Sequence, residues 1–492
     1  MANEQKNETE ATAGGPDSEK KEKKPTFQEE APIETAQELT LGDRTLRYKA
    51  TVGRLPIKNH SEDKPEIEAQ IFFTYYALET DHPVGDRPLT FAFNGGPGSA
   101  SVWVHLGGLG PHRVVLNPDG SLPPPPYRLA ANPETWLTET DLVFIDPVGT
   151  GYSRAKDPET AKKFYDVDGD IGSLSEFIRL FLTRYERWTS PLFLAGESYG
   201  TTRGAGMAGH LIDRGIGLAG IIFISTVLSM QTIRFQPGNE LPFPLYLPVY
   251  TATAWYHKQL ADDLLARELP DLLREVEAFA FGPYTFALMQ GDRLPAEQRT
   301  ELIPQIARYT GLSETYVEQR DLRIEHWRFC KELLRGRGVT VGRIDSRLTA
   351  RENNRGAETP GFDSSMLHPP FTAGINDYLN RTLGYKTDLP YAISGEGVNS
   401  QWKWANGTFT ETATHLARAL AKNPHLRVLF ACGYYDLATP YTAAEYTAAH
   451  LGIDPQYRKN LSFTYYPSGH MMYIEQASLT QLKQDAAAFL RG

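Results

Sequence analysis

Three residues of this chain have the types and spacing of an activated nucleophile. Ser198 lies in Gly196-Glu197-Ser198-Tyr199-Gly200, after the apolar run Pro191-Leu192-Phe193-Leu194-Ala195 and before a small-residue segment, Thr201 to Ala208, that can start a helix. Strand, Gly-x-Ser-x-Gly, helix describes a turn whose glycines permit a tight, strained geometry that lifts a serine hydroxyl out of a sheet. A serine hydroxyl is a poor nucleophile until a base stands within hydrogen-bond reach and a third group orients that base. In this arrangement the partners follow in the order Ser, then Asp or Glu, then His.

The chain supplies both downstream, each just past a predicted strand. Arg427 to Cys432 reads as a buried strand that runs through Gly433-Tyr434-Tyr435 to Asp436. Leu461 to Tyr466 reads as the next, followed by Pro467-Ser468-Gly469-His470. Catalytic groups of open α/β sheets gather at the carboxyl ends of strands. The chemistry would be acyl transfer on Ser198, with His470 as base and Asp436 as its orienter. A turn aspartate and a solvated loop histidine are the plain alternatives, and chain order with matching strand-end placement favours the catalytic reading. Other histidines fit less well: His105 and His112 precede the serine, His210 falls on the helix after it, and His415, His425 and His450 lack a strand-end position.

Such a serine also needs donors for the oxyanion. One is expected from the backbone N–H of the residue after the nucleophile, Tyr199, and the other from a glycine-rich loop after an earlier strand. Leu89 to Phe93 runs directly into Asn94-Gly95-Gly96-Pro97-Gly98, which fits that need.

Together these residues resemble the serine carboxypeptidases of the α/β-hydrolase superfamily. The resemblance is carried by Asn94-Gly95-Gly96-Pro97-Gly98, Asp146-Pro147-Val148-Gly149-Thr150-Gly151-Tyr152-Ser153, Gly196-Glu197-Ser198-Tyr199-Gly200 and Gly469-His470-Met471, from about Pro88 to the C-terminus. It implies Ser198, Asp436 and His470 as the triad, with Gly96 and Tyr199 as oxyanion donors. It further implies that Asn94 and Glu197 form a hydrogen-bonded pair holding the substrate's terminal carboxylate, with Gly95 beside them. Two carboxylates repel unless one carries a proton, so a protonated Glu197 would favour this recognition at acidic pH. The alternative for Glu197 is a helix-start carboxylate near a helix N-terminus.

The chain also departs from the family pattern. Counting back from Gly110-Pro111, Gly108 stands where the family has a second acidic residue that assists carboxylate recognition, so the site is reduced to Asn94 and Glu197. No glutamine separates Asp146 from Pro147, Phe93 stands for the usual tryptophan, and Ser99 for a cysteine.

With two cysteines, Cys330 and Cys432, no disulfide framework is expected. A net charge of −10 argues against nucleic acid or an anionic membrane as partner. No apolar run approaches the roughly 20 residues of a membrane span. The chemistry calls for no cofactor and no metal. Residues 1–35, poor in apolar side chains, read as a disordered tail. They lack the apolar core of a secretory signal, so a cytoplasmic location is expected, with export or a periplasmic site as the alternative.

The expected fold is α/β, a mostly parallel α/β-hydrolase sheet with a helical cap insertion: core over 36–235 and 401–492, cap over 236–400. Leu39 to Val52 and Ile67 to Leu78 alternate as antiparallel strands, and Gly220 to Thr226 reads as a buried strand. Asp170 to Trp188 is an amphipathic helix. In the cap, helices are expected over Thr251 to Leu265, Leu269 to Phe279, Glu297 to Thr310 and Ser313 to Leu334, and the aromatic segment Phe243 to Tyr256 reads as packing rather than substrate contact. The function expected is removal of C-terminal residues from peptides through an acyl-enzyme on Ser198. An esterase or acyltransferase on the same triad, or a catalytically silent binding protein of this fold, are the alternatives.

Overall fold

The computed structural model describes residues 27–59, 65–81, 83–351 and 367–492. Nine strands follow one path through the main sheet: β1 (Ile33–Leu41), β2 (Arg44–Lys58), β3 (Ile67–Leu78), β4 (Leu89–Phe93), β5 (Asp141–Ile145), β6 (Leu192–Glu197), β7 (Gly220–Ile224), β8 (Arg427–Gly433) and β9 (Leu461–Tyr466). Their order is β1-β2-β3-β5-β4-β6-β7-β8-β9, and the two-residue strand Arg154–Ala155 pairs with β3. From β5 to β9 all neighbours are parallel, while β1, β2 and β3 add an antiparallel extension. β4, β5 and β7 are buried at every residue, which is why they read as unbroken apolar runs rather than as alternation.

Two apolar cores flank the sheet, and adjacent residues of a strand serve different ones: Phe73 and Phe91 belong to one, Phe72 and Ala92 to the other. The first takes Leu174, Phe177, Ile178 and Phe181 from α1 (Val167–Arg184), the second Leu479, Leu482 and Ala486 from α11 (Gln476–Arg491). α1 starts three residues before the expected Asp170 because Asp166 caps it, accepting the Gly169 N–H at 2.8 Å. It ends before Trp188, with Tyr185 as its C-cap.

Several expectations need correction. Leu39 to Val52 is not one strand: Gly42 and Asp43 turn the chain between β1 and β2, Gly42 having a φ of 59°. Most of the expected tail, residues 1–26, lies outside the described residues, but its end is structured. Ile33 pairs with Val52 in β1, and Glu30 lies 2.6 Å from Arg54. Backbone pairing to β2 holds this polar stretch where composition offered no apolar anchor.

β7 and β8 pair in register from Gly220 opposite Arg427, so everything between them is an excursion from the sheet. It contains α3 (Pro242–Tyr256), α4 (Leu269–Phe279), α5 (Ala296–Thr310), α6 (Glu314–Gln319), α7 (His326–Glu332) and α8 (His368–Asp377). α3 begins nine residues before the expected Thr251, with Pro242 at its first turn, where a missing N–H costs nothing. Ser313 to Leu334 is two helices, broken where Asp321 and Leu322 adopt left-handed φ values of 50° and 64°. A short hairpin, Thr340–Val341 with Thr349–Ala350, makes the excursion not wholly helical. Nor does it form a single body on one core. Helices α3 to α7 pack into the first core, whereas Leu367, Phe371 and Ile375 around α8 pack into the second.

Candidate active site

Four strand ends converge. β4 leads to Asn94, β6 to Ser198, β8 to Asp436 and β9 to His470. Because β4 lies beside β6, with Phe93 opposite Gly196, Asn94 stands next to Glu197. Because β8 lies beside β9, with Gly433 opposite Tyr466, Asp436 and His470 meet.

Ser198 occupies the turn between β6 and α2 (Tyr199–Ile212) with φ 58° and ψ −129°. A non-glycine residue rarely adopts this backbone, and surrounding contacts must hold it there. The Ser198 N–H donates to the Ile224 carbonyl at 3.0 Å, and Thr201 N–H returns to the Ser198 carbonyl at 2.8 Å. From above, the Asn94–Gly98 loop presses on the turn: a Cβ at Gly95 would come within 2.4 Å of the Tyr199 nitrogen. Glycine is therefore required there for steric reasons. The Ser198 Oγ takes part in no hydrogen bond among the described residues.

His470 Nδ1 lies 2.7 Å from Asp436 Oδ2, which fixes the ring so that Nε2 is the basic nitrogen. Asp436 is fully buried yet well supplied with donors: the N–H groups of Ala438 and Thr439 at 2.8 and 2.9 Å, and the Thr439 hydroxyl at 2.8 Å. Burial opposes the imidazolium, but the Asp436 charge and hydrogen bond, with Glu197 nearby, prevail and raise the His470 pKa above the usual histidine range. Ser225, at the end of β7 with φ 53°, donates its hydroxyl to the His470 carbonyl at 2.6 Å.

Asn94, Gly95, Gly96, Glu197, Ser198, Tyr199 and His470 all line one cavity of about 600 Å³, with Asp436 behind His470. The N–H groups of Gly96 and Tyr199 are not given to another backbone group among the described residues. Tyr199 opens α2, so the positive end of that helix faces the same space. Tyr246 is the residue of α3 that reaches the cavity, and the rest of that helix is packing.

Asn94 acts on Glu197 as a side-chain hydrogen-bond donor that lowers the Glu197 pKa, although the contact from Nδ2 falls short of full hydrogen-bond geometry. Asn94 Oδ1 accepts the Val104 N–H at 3.0 Å, which orients the amide, and its buried Nδ2 lies near the Glu197 carboxyl and the Tyr473 hydroxyl, lowering the pKa of both. Glu197 Oε2 is held by the Tyr473 hydroxyl. Tyr473 also occupies the room left by the missing acidic residue. A Cβ at Gly108 would come 2.7 Å from the Tyr473 Cβ and 2.9 Å from Leu479 Cδ1. Burial raises the Glu197 pKa to about 7, against the lowering pull of His470 and of hydrogen bonding from Tyr473 and Asn94. The carboxyl is therefore largely protonated in mildly acidic solution.

Beneath the turn, the fully buried Arg203 donates from Nε to Asp170 Oδ2 at 2.8 Å and from Nη1 to the Asn94 carbonyl, and packs 5.3 Å from the Tyr199 ring centroid. It ties the glycine-rich loop to the nucleophile helix. Sequence reasoning missed Arg203, Ser225, Thr439 and Tyr473. Their roles depend on which strands are neighbours, and Tyr473 carries no motif beyond its closeness to His470.

Residues 61–215 match a family model described as serine carboxypeptidase. The motif resemblance to that family holds over this segment. It includes the three upstream motifs but ends before Asp436 and His470. The pheromone-processing carboxypeptidase KEX1 of Saccharomyces cerevisiae is 32% identical over 158 residues, 30% of this chain and 20% of that protein. Serine carboxypeptidase-like 36 of Arabidopsis thaliana is 33% identical over 148 residues, 29% of this chain and 26% of that protein. The chain thus matches about a fifth to a quarter of those relatives' lengths. The crystal structure of the Saccharomyces cerevisiae prohormone-processing carboxypeptidase KEX1 superposes with a TM-score of 0.56 over 90% of this chain and 91% of that one, at 16% identity. The fold is that of the α/β-hydrolases.

Proposed function

We propose that this protein is a serine carboxypeptidase-like peptidase that releases C-terminal residues from peptides. The observation that carries the reading is the single cavity where Ser198 and His470 stand beside Asn94 and a buried, proton-holding Glu197. In this mechanism the Ser198 Oγ attacks the scissile carbonyl while His470 Nε2 takes its proton. Asp436 keeps the proton on Nδ1 and stabilises the imidazolium. The N–H groups of Gly96 and Tyr199 receive the oxyanion. His470 then gives its proton to the departing amine, which leaves as the free C-terminal residue. Water, deprotonated by the same imidazole, hydrolyses the acyl-enzyme.

Asn94 Nδ2 and protonated Glu197 supply hydrogen bonds to the substrate's terminal carboxylate. This is what separates an exopeptidase from an esterase on the same triad. A blocked dipeptide, its C-terminal amide and a matching ester test the reading. The free acid should be cleaved faster than the amide at pH near 5. Equal cleavage of acid and amide at every pH would replace the proposal with an esterase or endopeptidase.

A further inference from the structure

The cavity around Ser198 is charged in the sense opposite to the chain. The protein has a formal net charge of −10, yet Arg234 and Arg343, the latter already engaged in an interaction of its own, line the cavity, and Glu197 is the one carboxylate among its described lining residues. Glu197 is already engaged by Tyr473.

Arg234 is exposed on a turn fixed by Asn239, whose amide donates to the Gln231 and Arg234 carbonyls at 2.8 and 2.7 Å. Its guanidinium lies over the Trp404 ring, 5.1 Å from the centroid, and pairs with no carboxylate among the described residues. The indole face holds the guanidinium in place, and no acceptor among the described residues takes its N–H groups. The guanidinium N–H edge is a fork matched to the two oxygens of a carboxylate. His326 completes the wall: its ring stacks on Tyr246 at 5.5 Å and its Nδ1 has no partner. Burial, then the two arginines, push its pKa down to about 3, so it faces the cavity as a neutral imidazole.

We infer that this wall is a subsite for an acidic side chain, so that the cavity takes peptides with glutamate or aspartate beside the scissile bond, and that Arg234 determines this specificity. The substrate class rests on the peptidase reading, and binding and turnover measured separately keep the two apart. Blocked dipeptides carrying Glu, Gln or Lys, at the C-terminal position or the one before it, are titrated into the Ser198→Ala protein by calorimetry. The same peptides are offered to the wild-type enzyme.

At one position Glu should bind about tenfold more tightly than Gln, the scale of one charge-assisted hydrogen bond in a partly wet site. Lys should bind weakest, and the gap should shrink in about 0.5 M salt. Arg234→Gln should close the gap, and Arg234→Glu should turn it toward Lys. Glu and Gln within twofold at both positions, no detectable binding of any peptide, or a gap that survives Arg234→Gln would each overturn the subsite. Glu-selective binding without turnover of any dipeptide would keep the subsite and end the peptidase reading. Turnover with no Glu preference would do the reverse.

Discussion

Replacing Glu197 by Gln should make the protein less sensitive to alkali, not merely less active. Burial raises the Glu197 pKa from 4.5 to about 7, so the folded state holds this proton more tightly than the unfolded chain does. The stabilisation from the bound proton is complete below about pH 4.5 and is lost as pH rises through about 7. A shift of that size corresponds to about 3 kcal/mol in full, of which about 2–3 kcal/mol falls between roughly pH 5 and pH 8.5. Gln keeps a donor and never ionises. Urea unfolding at constant ionic strength should therefore show wild type losing about 2–3 kcal/mol more than Glu197→Gln across that interval. In kinetics, wild type should prefer a free-acid dipeptide over its amide by roughly 10- to 150-fold near pH 5, the worth of a charge-assisted hydrogen bond. That preference should decay about pH 7, where two carboxylates begin to repel, and Glu197→Gln should flatten the decay. Parallel stability curves for the two proteins would mean that Glu197 titrates like an exposed carboxyl, and the proposed carboxylate site would go with it.

Ser198→Ala and His470→Ala should each remove nearly all turnover and be strongly non-additive, and Asp436→Asn should lower kcat by about 10⁴-fold. Turnover by Ser198→Ala within about tenfold of wild type would refute the assignment. Tyr473→Phe keeps the ring packed on Gly108 but deletes the hydroxyl whose hydrogen bond lowers the Glu197 pKa. The pH at which the acid-over-amide preference fades should accordingly move up, and an unmoved midpoint would show Tyr473 to be packing only. Arg203→Met leaves Asp170 buried without its cation, so denaturant unfolding should show a loss of about 3–5 kcal/mol. A loss below about 1 kcal/mol would mean that water or a neutral Asp170 relieves the site.

The parts of the site legible in the sequence are those the chain must spell locally. A strand that ends at a turning point needs an apolar run and then a punctuating glycine or polar residue, and β4, β6, β8 and β9 all show this. Hence Ser198, Asp436 and His470 could be named from order and placement. Even β7 and β8, separated by the whole excursion, were recognisable because buried parallel strands have little other than apolar residues. What could not be read was anything decided by which strands lie side by side. Ser225 matters because β7 runs between β6 and β8, and its hydroxyl reaches a residue 245 positions away. The hairpin at Gly42 was missed because the polar, alternating segment on either side of it reads the same in both directions, and β1 is held by pairing rather than by burial.

The surroundings of Asn94 and Glu197 show why resemblance and geometry have to be taken together. The family resemblance marks Gly108 as a loss. By itself, however, it suggests a weakened site with a hole where the second acid stood. The structure closes that hole with Tyr473, whose Cβ, with Leu479 Cδ1, crowds Gly108 and whose hydroxyl meets Glu197. A carboxylate partner there would have competed with the substrate for protons. A phenol offers a hydrogen bond without a second charge, and burial raises its own pKa well above 10, so it stays neutral. Asn94 Nδ2 then lies beside both the Glu197 carboxyl and the Tyr473 hydroxyl. Under the proposed function, Gly108 and Tyr473 together make a carboxylate site tuned by one titrating group, Glu197, and the Tyr473→Phe variant tests that reading.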